Sequence, residues 1–447
     1  MPTDTMDNNI PITGLDDLTA HMDALIADPS TPLEAKLFDD IELQLTDSNT
    51  PPLLTTLLPR LVQILHTTPS DPTTPASLTT KLLRPLSFSQ ITSLAPPESL
   101  IQALESPFPA ANILAMTILH KAAAAPAEVA QLADMQEVVH SFVRTWLGSS
   151  EVGVGEKGGR VIGDLLDVDC EFDPPARPQR QQQQQQQQQQ HPLDAGMPTW
   201  HDMVLRKEKG SGALWRRVFA DQQVYSLILD LLAGRHEDTN ITSTSDVEEK
   251  KKKGRQLTLA QGRILRILPR LAALDLNKVA RSEVAAPTPG YYLYATARTT
   301  TNGHNTSRPN GRTTNYNSDI LTNGVGVEQE EEEEEATQMP LPAPPKQGQG
   351  LLHFAALRMV DRNDVLMHLS LIDFFEAFVG LMRVTPHSED KVNIVKEIVR
   401  EAVADDELLR ESLEGLPDRT VDEERDELRG WVREVMPPRE EIDVVMR

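Results

Sequence analysis

Apolar residues recur every three to four positions along most of this chain, the spacing of helices with a buried face. In "LSLIDFFEAFVGLMR" the stripe is Leu371, Phe375, Phe378 and Met382, widened by Ile372 and Val379. Phe374 and Leu381 fall toward the opposite side, which predicts contacts on more than one face. Ser370 with Asp373 reads as a capping box at the start of this helix. "KVNIVKEIVREAV" repeats the logic with Val392, Val395, Val399 and Ala402. Further helices are predicted over 14–27, 33–46, 52–66, 110–123, 134–147, 221–233, 257–274 and 420–436. Convincing alternating strands are absent, and "YYLYA" at 291–295 is the only β-like run. The expected fold class is all-α.

Low-complexity stretches interrupt the helices. "PPARPQRQQQQQQQQQQHPLDAG" at 174–196 has no apolar stripe to bury and is expected to be a disordered insert. Residues 285–350 hold "TTTNGHNTSRPNGRTTNYNSD", the run Glu330–Glu335 and "PLPAPPKQGQG", which cannot offset their ordering entropy. A shorter polar loop, "HEDTNITSTSDVEEKKKKGRQ", covers 236–256. The chain therefore divides into N-terminal helical repeats over 10–173, the Gln-rich insert, middle repeats over 197–284, the acidic and Pro-rich insert, and C-terminal repeats over 351–437. "LLPRL" at 57–61 recurs as "ILPRL" at 267–271, with "LLRPL" at 82–86 as a looser echo. A proline bends a helix, and arrays of helix pairs tolerate the bend because neighbours support it. Pairs at spacings near 40 residues suggest a HEAT/armadillo-like helical-repeat solenoid with disordered insertions; a plain multi-helix bundle is the alternative.

Charge narrows the partners. The 447 residues carry a formal net charge of −24, which disfavours direct contact with phosphate backbones and favours basic protein partners. Cys170 is the single cysteine, so no internal disulfide forms, which points to a reducing compartment, the cytoplasm. The lysine run near 250 is a weak nuclear-import candidate. The N-terminal residues show no secretory signal, and no run is expected to approach the ~18–20 apolar residues of a membrane span.

Candidate chemistry is sparse. Gly153, Gly155 and Gly158 fit G-x-G-x-x-G, but a dinucleotide turn needs a strand before the glycines. Here Val138, Phe142 and Trp146, with Val139 and Val143 alongside, mark a helix. After the glycines, Val161, Leu165 and Val168, with Ile162 and Leu166, mark another. The expectation is a helix–turn–helix corner, with Gly148 ending the first helix. His66, His120, His140, His201, His353 and His368 form no metal-ligand spacing, no G-x-S-x-G elbow is present, and acidic pairs such as Asp405 and Asp406 read as a solvated face. Cys170 reads as a buried thiol. No catalytic, cofactor or metal site is expected.

Four stretches together resemble one family: "GVGEKGGRVIGDLLDVDC" (153–170), "LWRRVFADQQVYSLILDLL" (214–232), "LAQGRILRILPRLAALD" (259–275) and "LLHFAALRMVDRNDVLMHLSLIDFFEAFVGLM" (351–382). They are similar to the proteasome regulatory-particle base assembly chaperones, the animal non-ATPase regulatory subunit five and its fungal counterpart, also labelled a DNA mismatch-repair protein. The resemblance implies a curved HEAT-repeat solenoid without enzymatic activity. It implies a scaffold that grips the C-terminal domain of one proteasomal ATPase subunit and helps it pair with its neighbours. The glutamine tract, the Glu330–Glu335 insert and the Gly158–Gly159 pair depart from that family's usual run. Asp361 and Asp364 are candidate salt-bridge partners for the ATPase domain, or else a helix N-cap and a first-turn acid. Trp215, Arg216 and Arg217 are a second candidate contact, since Trp and Arg anchor interfaces; Trp215 packed between helices is the alternative. A repair adaptor acting through protein partners and a nucleotide enzyme using the glycines are the competing functions.

Overall fold

The computed structural model describes residues 12–68, 70–171, 209–235, 247–284 and 348–439, all within one packed unit. Helices α1 (Leu15–Ala27), α2 (Ala35–Gln44) and α3 (Thr50–Thr67) close over α4 (Thr73–Leu82). Their stripes meet in a core of their own, including Leu18, Met22, Phe38, Leu57, Leu61 and Leu78.

From α4 onward helices come in threes. With α4 go α5 (Phe88–Leu94) and α6 (Pro97–Leu104), then follow α7 (Pro109–His120), α8 (Pro126–Asp134) and α9 (Gln136–Gly148). The next triplets are α10 (Val152–Val168), α11 (Ala213–Phe219) and α12 (Gln222–Leu232), then α13 (Val247–Leu274), α14 (Leu276–Ala280) and α15 (Leu351–Leu357). Helix pairs finish the described chain: α16 (Val365–Val384) with α17 (Glu389–Ala402), and α18 (Glu407–Gly415) with α19 (Asp422–Val435). First helices stack in one row, α4 on α7 on α10 on α13 on α16 on α18; α5, α8 and α11 form a second row, and α6, α9 and α12 a third. One continuous core runs through these rows from Ala76 to Val435. This is an all-α helical-repeat solenoid. The expected helix pairs are triplets through the middle, because α5, α8, α11 and α14 have 7, 9, 7 and 5 residues. So few turns give a periodicity search little to detect.

Proline opens α6, α7 and α8, where the missing N–H has no helical partner to lose. Pro59 and Pro269 lie inside α3 and α13, as the recurring Leu-Pro-Arg-Leu fragment predicts. Each interior proline costs about 3 kcal/mol. Leu57 and Leu61 beside the first, and Leu268 and Leu271 beside the second, are at most 2% exposed; burial of each stabilises by roughly 1.5–3 kcal/mol. The "LLRPL" echo behaves differently: α4 ends at Leu82 and Pro85 sits in the following turn.

The glycine motif lies wholly inside α10, so no phosphate-binding turn exists there. Two of its glycines, Gly155 and Gly158, serve packing. A methyl added at Gly158 would fall 2.7 Å from Trp146 Cγ and 2.8 Å from its Cβ. Gly153, on the exposed side, meets nothing within 4 Å. Farther along α10, Asp164 links three helices of the first row. His120 Nε2 at the end of α7 lies 2.8 Å from Asp164 Oδ2, and Arg270 Nη2 of α13 donates to Asp164 Oδ1 at 2.9 Å and to Asp167 Oδ2 at 3.2 Å. Burial raises the Asp164 pKa, but the bonds from His120 and Arg270 outweigh it and hold the carboxyl below the ordinary aspartate value.

Several expectations change at the element ends. Asp364, not Ser370, starts α16: its Oδ1 accepts from Leu366 N and Met367 N, while Ser370 Oγ donates back to Leu366 O. Helix α16 is long and apolar enough to cross a membrane by length and composition, with mean hydropathy 1.7, contrary to the expectation that no run approaches this. It packs against α13, α18 and α19. Residues 247–256 of the expected polar loop belong to α13; the rest of that loop, "YYLYA" and the two inserts up to residue 347 lie outside the described residues, except the few at the insert edges. Those edges are joined. Gly210 N donates to Cys170 O and Gly212 N to Asp169 O, and Arg281–Ser282 pairs antiparallel with Gly348–Gln349.

Two outcomes are expected. Gly158→Ala should lower unfolding stability by about 1–3 kcal/mol through overpacking against Trp146, whereas Gly153→Ala should raise it by up to ~1 kcal/mol through helix propensity. Equal responses in chemical denaturation would refute the packing assignment. Asp164 contributes stability that is present above the unfolded aspartate value of about 3.9 and is lost as pH falls through its lower folded value. Asp164→Asn should therefore be less stable at neutral pH and lose less on acidification; denaturation midpoints that run parallel to the parent's across the acid range would contradict this.

Candidate partner-binding surface

The connection into α16 is built around Asp406. This side chain, 6% exposed, caps α18 by accepting from Leu409 N at 3.0 Å. His368 Nε2 stands 2.8 Å from its Oδ2 and Arg362 Nη1 3.3 Å from the same oxygen. Asp406 is thus a buried, charge-compensated cap rather than part of the solvated face expected for the Asp405–Asp406 pair; Asp405 is exposed.

Asp361 and Asp364 sit at the same corner. Asp364 is the N-cap of α16, and Asp361 Oδ1 accepts from Asn363 N and Nδ2, both at 3.0 Å, in the turn before it. So the cap is Asp364 rather than Asp361, which is a residue of the preceding turn, and Asp364 is not a first-turn acid. Beyond them, Val365, Leu366 and Leu369 are 69%, 76% and 53% exposed. These three fall off the buried stripe continued by Met367 and Leu371. An apolar residue off the stripe is the sequence signal that could have marked this surface.

The second candidate contact divides. Trp215 is 1% exposed, and its Nε1 donates to Leu166 O at 2.8 Å. That places the indole in the core between α10 and α11 and withdraws it from any surface contact in this conformation. Arg216 is exposed and bonds Glu171 at 2.9 Å; Arg217 bonds Asp221 Oδ2 at 2.7 Å and Ala133 O at 2.9 Å. The structure does not bring Arg216 together with Asp361 and Asp364 through any described bond.

Two hollows open among the described residues. One of about 640 Å³ is lined by Arg84, Ser87, His120, Lys121 and Asp164. It gathers Ser, His and Asp side chains, yet no described hydrogen bond joins Ser87 to His120. The Ser87 hydroxyl instead accepts from Gln90 N in a capping box. The Lys121 ammonium is drawn to the carbonyls of Arg84 and Leu86, and burial lowers its pKa despite the pull of Glu128. The other hollow, about 750 Å³, lies among Glu105, Asn112, Arg144, Glu151 and Gln256. Its polar groups are largely engaged: Asn112 with three carbonyls, Gln256 with Gly148 O. Among the described residues no His, Cys, Asp and Glu group has the geometry of a metal site. Cys170 is half-buried, its thiol 3.6 Å from Leu274 O. His201 lies outside the described residues.

Residues 18–143 match the family model described as "DNA mismatch repair protein HSM3, N terminal domain". No curated protein and no solved structure matches the chain. The matched stretch begins in α1 and ends within α9, covering the N-terminal core and the first two triplets of the solenoid. Over these N-terminal repeats the chain is similar to the HSM3 family model.

Proposed function

We propose that this chain is a non-enzymatic assembly chaperone that holds the C-terminal domain of a proteasomal ATPase subunit and promotes assembly of the regulatory-particle base. The family match over residues 18–143 carries the reading. The resemblance of the stretches between 153 and 382 to the same chaperones extends it beyond the matched part. A stack of helix rows offers the long surface such a task needs. With a net charge of −24, the chain would attract a basic client domain and accelerate encounter. No cofactor is required, and the place of action is the cytoplasm, with the nucleus as a second site. Release requires only that the finished particle obstruct the same surface.

The mismatch-repair name of the matching family favours a second reading, a scaffold in DNA mismatch repair that works through protein partners. Direct contact with DNA fits it poorly, because binding a phosphate backbone is driven by counterion release to cationic residues.

Copurification with the full chain as bait, at moderate salt, separates the two. The expected result is recovery of a proteasomal ATPase with other base subunits and without the core particle. Repair proteins recovered in the absence of any ATPase would overturn the chaperone reading and support the second. A thermal-shift titration with ATP or NAD is expected to leave the melting temperature unchanged; stabilisation by either would return the nucleotide enzyme to consideration.

A further inference from the structure

The exposed start of α16 continues onto α18. Two side-chain links set the register of these helices: His368 with Asp406, and Glu376 with Ser412. Both partners advance in the same direction, so α16 and α18 run parallel. Leu369 lies between His368 and Glu376, and Leu408 lies between Asp406 and Ser412. Leu408 is 62% exposed. It shares the flank of α18 that carries Ser412, four residues on, so it stands beside the exposed turn of α16. Val365, Leu366, Leu369 and Leu408 together make an aliphatic step across two neighbouring helices of the first row.

The rim of this step is anionic. Asp405, Glu407 and Glu411 on the α18 side and Asp373 on the α16 side are exposed. Arg362 is engaged by buried Asp406, with the His368 ring bonded to the same carboxylate, and Arg439 stands 3.6 Å from Glu407 and 2.8 Å from Glu414, so the rim keeps more carboxylates than cations. We infer that this step is a docking surface for a cationic amphipathic helix of a protein partner, its aliphatic face seated on Val365, Leu366, Leu369 and Leu408 and its Lys or Arg residues directed at the carboxylate rim. The helix-on-apolar-groove mode supplies affinity, and the rim supplies approach and orientation. Charge selects this occupant over the chain's own residues 440–447. Those carry Glu440, Glu441 and Asp443 against Arg447 alone, so they would meet the rim with like charge. The inference rests on the proposed function in taking the partner to be the ATPase C-terminal domain.

The test titrates the purified full chain with each proteasomal ATPase C-terminal domain, at low and high salt. Leu366→Glu with Leu369→Glu should weaken binding of the client about tenfold or more, with the melting temperature of the free chain unchanged. Asp405→Lys with Glu411→Lys should weaken it chiefly at low salt and flatten the salt dependence. Leu43→Glu, at an equally exposed leucine far along the chain, should bind as the parent does. If the parent binds a client and the Leu366/Leu369 variant binds it equally well, the docking surface is refuted and the chaperone reading stands. If the parent binds none of the domains, both fall. If the leucine variant lowers the melting temperature of the full chain but not of a chain ending at Arg439, residues 440–447 occupy the step and the inference is overturned.

Discussion

Every helix leaves its last carbonyls without an internal donor, and in a stack of repeats many of those ends face protein rather than water. The solenoid depends on how they are satisfied. Again and again the donor is a side chain of a later element. Asn112 of α7 donates to Ala103 O and Leu104 O at the end of α6. Arg263 of α13 reaches Trp146 O and Leu147 O at the end of α9. Gln261, also of α13, bridges Leu232 O at the end of α12 and Met359 O. Lys391 of α17 donates to Met382 O and Thr385 O after α16, and burial lowers its pKa while the nearby Glu434 opposes that. Apolar burial alone would let neighbouring rows slide; a carbonyl that loses its donor inside the stack costs about 1–3 kcal/mol, which fixes the register.

Close approach is the second requirement, and it explains the glycines. Helix α10 packs on α7, α9 and α13 at once. A methyl at Gly158 would enter the Trp146 side chain, and one at Gly163 would come within 2.6 Å of Arg270 Nη1. Gly155, Gly158 and Gly163 thus answer to neighbours that press on the helix, while Gly153 meets nothing within 4 Å, so the G-x-G-x-x-G spacing is incidental. The propensity cost of about 1 kcal/mol per helical glycine is offset by Val161, Ile162, Leu165 and Leu166, all at most 2% exposed.

The long stripes were legible because they are periodic over several turns: the α16 and α17 stripes, the α9 and α10 stripes and the interior prolines all fall where the pattern puts them. What escaped has a common cause. The short second helices bury two to four residues each, over too few turns to show a period. Asp406 looks like half of a solvent-facing pair, and nothing local reveals that His368 and Arg362, about forty residues earlier, fold over it. Asp169 is similar. Its carboxylate, fully buried, accepts from Ser211, Leu214 N and Trp215 N across the first insert. The capping box assigned to Ser370 failed because α16 begins at Val365, ahead of Leu371 where the sequence stripe starts, so its true cap, Asp364, lies outside that window.

Asp169 and Asp406 also bear on the inserts and on the surface. A long insertion costs little when its ends already meet, since closure entropy grows only logarithmically with length. The Asp169 cap and the Arg281–Gln349 pairing bring both sets of ends together without help from the inserted residues. Asp406 does the opposite service at the surface. By drawing Arg362 inward it removes a cation that would otherwise offset the carboxylates of the α16–α18 corner. The same buried carboxylate that holds the last repeats together leaves the exposed aliphatic step framed by more carboxylates than cations, with Arg439 beside Glu407 the exception.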